Sequence, residues 1–275
     1  MLNAIILGLV QGLTEFLPVS SSGHLKIFGA LLHREMEGST TFDVMLHVGT
    51  LAAVLIVYRK DVWELIKNFF GAIADVCRGR GLRLKEMPYR RLILWLIVGS
   101  IPAMIGGLFL DHYMERIPVW AVGICLFVTA ALLFWSDRMK EGVKKAEDMT
   151  WKDALITGVF QMVALLPGIS RSGSTIVGAT SRKLKREDAV RFSFLLSLIV
   201  IGGAAVLKVP DVMESTTSMQ ELLPYAVGMI VSAISGFFAI RFLIAMTKKA
   251  KLSVFGWYCI LMGLFALIFG IVTHV

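Results

Sequence analysis

The residues best suited to chemistry lie in two short polar segments of an otherwise apolar chain. In the first, Gln11 and Glu15 are four residues apart, so a helix would place them on one face. If that helix lies in lipid, its carboxylate costs about 2.5 to 3.5 kcal/mol on insertion scales, and Glu15 is a candidate functional residue. The alternative is a glutamate at the interface that reaches water. For Gln11 two roles stay open: it belongs to the site, or its amide forms a hydrogen-bonded bridge between helices.

A serine-rich turn, LPVSSSGH at 17–24, follows directly and supplies Ser20, Ser21, Ser22 and His24. A neutral imidazole can take or give a proton near pH 7, and a neighbouring serine is the kind of nucleophile it activates. The alternative is close helix packing through small residues, which does not require the histidine. The turn therefore predicts acid–base and nucleophilic chemistry.

The second polar segment, LPGISRSGS at 166–174, offers an arginine among hydroxyls: Ser170, Arg171, Ser172, Ser174 and Thr175. Arginine is permanently charged and forks onto phosphate or carboxylate oxygens. A helix that begins after Pro167 and Gly168 would add exposed amides and its dipole, which completes an anion site. Arg171 as a structural partner of Glu15 is the alternative, and both roles can alternate as ligand arrives.

These residues together suit phosphoryl transfer, which needs charge neutralisation, a positioned nucleophile and proton management. In a membrane the expected substrate is a lipid phosphate or diphosphate. His47, in an apolar run, stands open between a site residue and a histidine that bridges helices.

The composition determines what must position these side chains. Of 275 residues, 56% are hydrophobic and 17% are charged, too few charges to cover a soluble core of this size. The net charge of +8 comes from basic clusters between apolar runs, a pattern of membrane orientation that argues against nucleic-acid binding. The three cysteines fall singly, without zinc-site spacing.

The apolar runs predict an all-α polytopic membrane protein. Six of them are long enough to cross a bilayer: 42–58, 91–110, 117–136, 189–207, 222–245 and 253–273. The stretches 1–32 and 151–181 are broken by Pro, Ser and Gly, so we expect two re-entrant hairpins that line a protected cavity.

Basic residues predict the orientation. With the N-terminus outside, the segments 59–91, 137–152, 182–191 and 246–252 lie inside and carry 22 of the 28 lysines and arginines. Both chain termini and the entrance of the first hairpin are then expected on the outer side.

An internal repeat at an offset of 150 residues organises the chain. It predicts a first repeat at 1–136, a cytoplasmic linker at 137–150 and a second repeat at 151–275. Each repeat holds one hairpin and three crossings, and three is odd, so the second repeat enters from the opposite face. Such inverted-topology repeats place broken helices tip to tip around one shared site.

The run QGLTEFLPVSSSGH at 11–24, with PGISRSGST at 167–175, resembles the undecaprenyl-diphosphate phosphatase family of bacitracin-resistance type. The resemblance covers the whole chain in length and hydropathy, and the two motifs in this order and separation are highly specific. Gln11 replaces the more familiar glutamate, which removes one charge from a metal site made of two carboxylates.

The resemblance implies roles for four residues: Glu15 in metal binding or proton management, Ser21 as nucleophile, His24 as general acid and base, and Arg171 as diphosphate clamp. The other polar side chains of the two motifs are expected to bind substrate: Gln11, Ser20, Ser22, Ser170, Ser172, Ser174 and Thr175. A divalent cation, Mg²⁺ or Ca²⁺, would be held by Glu15 with Gln11.

The implied activity is hydrolysis of undecaprenyl diphosphate to undecaprenyl phosphate, which recycles the carrier for peptidoglycan and cell-wall glycan synthesis. The implied location is the bacterial inner membrane, with the active site toward the outer side, and a homodimer is left open. The alternative is a flippase for polyprenyl phosphate lipids, because inverted repeats with broken helices are also a transporter architecture.

Overall fold

The computed structural model describes residues 1–32, 39–114, 116–215, 219–247 and 251–274, and helices dominate all of these ranges. Helices are expected in lipid because each satisfies its own backbone hydrogen bonds. Within these ranges the α-helices are α1 (Leu2–Phe16), α2 (Ser21–Leu31), α3 (Ser39–Val57), α4 (Arg59–Cys77), α5 (Pro88–Met114), α6 (Val119–Arg138), α7 (Trp151–Val163), α8 (Arg171–Ser181), α9 (Arg186–Ser215), α10 (Met219–Thr247) and α11 (Ser253–Thr273).

Five of these helices, α5, α6, α9, α10 and α11, are long and apolar enough to cross a membrane. The segments Thr41–Val57 of α3 and Arg59–Cys77 of α4 form a bent pair with an angle of 87° between them. If the bent pair is counted as one span, the described part of the chain offers six candidate spans. The predicted all-α polytopic fold is therefore confirmed.

Helix α4 departs from the sequence analysis, which treats 59–91 as a loop on the inner side. Its large apolar side chains Trp63, Ile66, Phe70 and Ile73 are exposed and recur at helical spacing along one face. A helix with such a face, turned nearly perpendicular to a membrane span, is typical of one that lies in the membrane interface.

Two broken helices form the expected hairpins. The first break separates α1 from α2 at 17–20, and the second separates α7 from α8 at 164–170. At the second break Gly168 adopts φ +98°, and a Cβ there would lie 2.5 Å from the carbonyl oxygen of Val122, so only glycine fits. Each break thus contains a proline and a residue with positive φ, Ser20 in the first and Gly168 in the second, at the positions where the sequence predicts a break.

The helix contacts of the two halves correspond in chain order, with α4 outside the correspondence. Helix α1 packs on α10 as α7 packs on α5, and α3 contacts α10 as α9 contacts α5. Helices α3 and α9 contact each other, as do α6 and α11. The repeat bounds and the inverted orientation in a membrane stay predictions.

The first hairpin is held in place by a close approach and an aromatic contact. At Gly12 an added Cβ would lie 2.4 Å from the carbonyl oxygen of Ser232, so α1 and α10 meet almost backbone to backbone. Phe16, at the end of α1, is fully buried and meets Phe194 of α9 edge to face at 5.3 Å between ring centroids. These contacts determine where the last turn of α1 lies.

Candidate active site

The last turn of α1 buries a carboxylate and an amide side by side. Glu15 and Gln11 are both buried, and Nε2 of Gln11 donates to Oε2 of Glu15 at 2.9 Å. The spacing of four residues therefore brings them together on one helix face, as the sequence predicts. A buried carboxylate is costly unless other groups hydrogen-bond or pair with it, so its remaining partners define the site.

Those partners are the first residues of the two helices that follow the breaks. Ser21, which begins α2, donates its hydroxyl to Oε2 of Glu15 at 2.5 Å. Arg171, which begins α8, donates from Nη2 to Oε1 of the same carboxylate. One glutamate thus joins the two hairpins, and both roles considered for Arg171 remain open to it.

His47 of α3 also lies beside the carboxylate of Glu15. Its Nδ1 lies 2.7 Å from the carbonyl oxygen of Asp43 and its Nε2 lies 3.5 Å from Oε2 of Glu15. His47 thus lies between a backbone carbonyl and the carboxylate, both of which accept hydrogen bonds. The cluster places two nitrogen-bearing side chains, Arg171 and His47, around the single carboxylate of Glu15.

Ser20 links the two breaks to each other. Its hydroxyl accepts hydrogen bonds from the amides of Gly23, at 3.3 Å, and of Gly168, at 3.1 Å. Its φ of 70° is unusual for a residue with a side chain, and such backbone strain is found mainly at functional sites. Ser22 is exposed beside it, with the two hydroxyl oxygens 3.4 Å apart.

The second break has an equivalent cap and an additional brace. The hydroxyl of Ser170 accepts from the amide of Gly173 at 3.1 Å. Thr129 of α6 accepts a hydrogen bond from the amide of Ser170 at 3.0 Å and donates to the carbonyl of Gly168 at 2.8 Å. The start of α8 is therefore fixed, and Arg171 projects from a rigid element.

The remaining hydroxyls predicted to bind substrate have different surroundings. Ser172 donates to the carbonyl of Leu17 at 3.2 Å across the two hairpins. Thr175 donates to the carbonyl of Arg171 at 2.9 Å and lies 2.5 Å from the hydroxyl of Ser193. Ser174 is buried, and its hydroxyl lacks a partner among the described residues. Contact of these three with a substrate stays a prediction.

His24 lies apart from the carboxylate cluster. Its Nδ1 is 2.7 Å from the carbonyl oxygen of Ser20 and its Nε2 is 2.8 Å from the hydroxyl of Tyr258, whose ring stacks on the imidazole. This differs from the expected pairing of His24 with Ser21, since the Ser20 carbonyl orients the ring toward α11. The acid–base role of His24 stays a prediction.

The oxygen ligands at this site are too few to hold a divalent cation unless a bound substrate adds its own oxygens. Within the described ranges no three or more His, Cys, Asp or Glu side chains are grouped as a metal site. Glu15 supplies one carboxylate, and the buried Oε1 of Gln11 has no hydrogen-bond partner among the described residues. Mg²⁺ usually takes one or two carboxylates and completes its shell with water and phosphate oxygens. These residues therefore fit a cation shared with a phosphate group.

Three residues around the site carried little or no signal in the sequence. His47 stood out as a polar residue in an apolar run, but its partner could not be read from spacing. Thr129 and Tyr258 lie in the apolar runs of α6 and α11, 41 and 234 residues from Ser170 and His24, the residues they bond. Only the fold brings them to the site.

The fold and the site define a helical membrane protein with a polar centre, built around Glu15 and Arg171, between two broken hairpins. The family described as "Bacitracin resistance protein BacA" matches residues 4–265. Proteins named undecaprenyl-diphosphatase are similar over almost their whole length. That of Alkaliphilus metalliredigens is 43% identical and that of Methanosphaera stadtmanae 42%, each over 98% of both chains. That of Carboxydothermus hydrogenoformans is 40% identical over 97% of this chain and 96% of its own. The chain belongs to the BacA family.

Proposed function

We propose that this protein hydrolyses undecaprenyl diphosphate to undecaprenyl phosphate and inorganic phosphate. The observation that carries the proposal is one buried point at which a hydroxyl, Ser21, and a guanidinium, Arg171, meet the two oxygens of Glu15. The name that the relatives share supports the substrate. Recycling of the carrier for peptidoglycan synthesis would account for bacitracin resistance.

Substrate binding begins with an exchange of partners at Arg171. The terminal phosphate carries more charge than the carboxylate, and a guanidinium forks readily onto its oxygens. As Arg171 turns to the phosphate, Glu15 loses its guanidinium partner and keeps its hydrogen bond from Ser21. The resting ion pair thus holds the site closed to water and opens for a diphosphate.

The first chemical step is attack by Ser21 on the terminal phosphorus. A bond forms between Oγ of Ser21 and phosphorus while the bond from phosphorus to the bridging oxygen breaks. The hydroxyl proton passes to Oε2 of Glu15, 2.5 Å away in the resting site. Undecaprenyl phosphate leaves with the bridging oxygen, and a phosphoserine remains.

The second step is hydrolysis of that phosphoserine. Water attacks the phosphorus, its proton passes to His24, and the bond to Oγ of Ser21 breaks as Glu15 returns the proton. The proton reaches His24 through the hydroxyl of Tyr258, which lies 2.8 Å from Nε2 and passes its own proton to that nitrogen. Inorganic phosphate departs, His24 gives its proton to the solvent, and Arg171 pairs again with Glu15.

A divalent cation fits this scheme beside the substrate. Glu15 and Oε1 of Gln11, which has no hydrogen-bond partner in the described ranges, would hold it together with oxygens of the diphosphate. When bound, Mg²⁺ or Ca²⁺ would neutralise charge on the phosphoryl oxygens.

The inner membrane, with the active site toward the outer side, is the expected location. Its support is the concentration of basic residues in the segments expected inside. A homodimer stays a prediction.

The proposal favours hydrolysis over lipid transport. A flippase needs Arg171 to bind a headgroup, but it has no use for a serine hydrogen-bonded to a buried carboxylate. The Ser21 to Glu15 contact therefore distinguishes the two functions.

The test is phosphate release from undecaprenyl diphosphate by purified full-length protein in detergent, with Mg²⁺, with Ca²⁺ and with EDTA. Binding of the lipid is measured in parallel on wild type and Ser21→Ala. We expect release by wild type and none by the variant, with binding retained by both. Binding by wild type without any release would overturn the proposal and favour a transporter.

A further inference from the structure

A groove outside the active site lies where α3 and α10 end. It encloses about 490 Å³, within the usual range for small-molecule sites. Its wall is mostly apolar but includes two arginines. The lining residues are Ile56, Val57, Arg59, Phe237, Arg241, Ile244 and Ala245. Val57 lies ten residues beyond His47 on α3, or about 15 Å at 1.5 Å per residue, so the groove is separate from the carboxylate cluster.

The two arginines make the groove cationic. Both are exposed, and no acidic side chain of the described residues pairs with either of them. Arg241 instead lies over the ring of Phe237 at 5.6 Å, which holds its guanidinium beside the groove. Two cations without an acidic partner above an apolar wall are complementary to an anionic head attached to hydrocarbon.

The bend between α3 and α4 supports a position of this groove at the level of lipid headgroups. Arg59 is the first residue of α4, which turns 87° away from α3 and exposes an apolar face. A helix of that kind lies in the interface, so its first residue is at the depth of phosphate groups. The basic segments at this end of α3 and α10 are those that the charge bias assigns to the cytoplasmic side.

We propose that this groove binds the phosphate headgroup of an anionic phospholipid from the inner leaflet. Arg59 and Arg241 would pair with the phosphate oxygens, since guanidinium groups match them in geometry. Ile56, Ile244 and Ala245 would contact the first carbons of the acyl chains. The groove would thus hold one structural lipid at the end of the bundle opposite the expected entrance of the active site.

The experiment counts bound lipid by native mass spectrometry on the full-length protein in detergent, titrated with phosphatidylglycerol or with phosphatidylcholine of the same acyl chains. We expect one tightly held phosphatidylglycerol and weaker binding of phosphatidylcholine. Arg59→Gln with Arg241→Gln should weaken phosphatidylglycerol binding about 30-fold, since each basic residue near an anionic surface contributes roughly a fivefold factor.

The control removes the same charge nearby. Lys60 and Arg78 are exposed on and after α4 and do not line the groove. Lys60→Gln with Arg78→Gln should leave the tight lipid in place. Equal loss in this control would show general attraction of charge and would overturn the proposal, as would unchanged binding in the Arg59 and Arg241 variant.

Two further arms keep the result independent of folding and of ligand source. Ala245→Trp keeps both arginines but fills the groove, and it should also expel the lipid, while each variant is checked by its thermal unfolding midpoint. Millimolar inorganic phosphate should not displace phosphatidylglycerol. Displacement would assign the groove to free phosphate and contradict the lipid site, and lipid retained by Ala245→Trp would contradict it as well.

Discussion

The two hairpins share one backbone plan and differ in the side chains it carries. Ser20 and Ser170 cap α2 and α8 in the same way, each accepting from the amide three residues on. Ser21 and Arg171 follow at equivalent positions, and they touch the two oxygens of Glu15. The first hairpin therefore offers the reactive hydroxyl and the second the charge, and neither makes the site alone.

The hairpins also differ in how firmly they begin. Helix α7 starts with a capping box between Thr150 and Asp153, and Asp153 also binds Lys144 and Arg182 at 2.9 Å each. Helix α1 begins without any side-chain cap in the structure. The second hairpin is fastened at its base by ion pairs, whereas the first is held by the packing of α1 on α10 and by contacts of its tip with the second hairpin.

The largest effect is expected for Ser21→Ala. Loss of the attacking hydroxyl should lower the rate of phosphate release about 10⁴-fold or more. Ser181→Ala, which removes the hydroxyl of the last residue of α8, away from the site, serves as control and should stay near the wild-type rate. A Ser21→Ala enzyme with more than a tenth of the activity would assign the nucleophile elsewhere.

Arg171→Ala tests the charge contributed by the second hairpin. Removal of one preorganised donor to the phosphoryl oxygens should lower kcat/KM about 10³-fold. Arg171→Lys keeps the positive charge but cannot donate two parallel hydrogen bonds, so it should recover part of the lost kcat/KM. If lysine restored full activity, the bidentate role of Arg171 would be wrong, and steady-state kinetics on the three proteins provide this answer.

Asp153→Asn tests the fastening of the second hairpin. Burial alone would raise the pKa of Asp153, but hydrogen bonds from the Thr150 amide, Lys144 and Arg182 outweigh it and hold the pKa at about 2. Asparagine carries no charge, so Lys144 and Arg182 lose their partner. The free energy of unfolding should fall by about 3 kcal/mol. The measurement is the thermal unfolding midpoint in detergent.

The pH dependence follows from the same depressed pKa. The stabilisation is fully present above the ordinary pKa of 3.8 and is lost as the pH falls toward about 2. The difference between wild type and Asp153→Asn should therefore shrink between pH 4 and pH 2. A difference that stays constant over that range would exclude the charged form of Asp153 as its source.

Tyr258→Phe tests the partner of His24 while keeping the stacked ring. Loss of the hydroxyl removes one neutral hydrogen bond from Nε2, worth about 1.4 kcal/mol, so the rate should fall about tenfold. The measurement is kcat for phosphate release by wild type and variant, and an unchanged kcat would make Tyr258 a packing residue only.

The smallest effect compares the two capping serines. Ser20 has φ +70° and Ser170 has φ −69°, so alanine is strained only at position 20. Glycine is free of that strain, and the penalty of Ala relative to Gly should be larger at 20 than at 170 by about 1 kcal/mol. Thermal unfolding of the four single variants measures it, and equal penalties would show that Ser20 is unstrained.

The sequence predicts the parts of this architecture that depend on local pattern. Proline with serine or glycine marks the breaks at 17–20 and 164–170, apolar length marks the spans, and the motifs mark Glu15 and Arg171 as candidate site residues. Helix α4 was not predicted, because the basic residues on an amphipathic interfacial helix resemble those of a charged loop on the inner side. The contacts of Tyr258 and Thr129 could not be predicted, since packing of distant helices creates them.

The most direct test of the account follows the configuration at phosphorus. Undecaprenyl diphosphate with a terminal thiophosphate made chiral by ¹⁸O is hydrolysed in H₂¹⁷O, and the configuration of the released thiophosphate is determined. Attack by Ser21 followed by attack of water inverts phosphorus twice, so the account predicts overall retention. Overall inversion would mean that water attacks directly, and it would contradict a phosphoserine on the first hairpin.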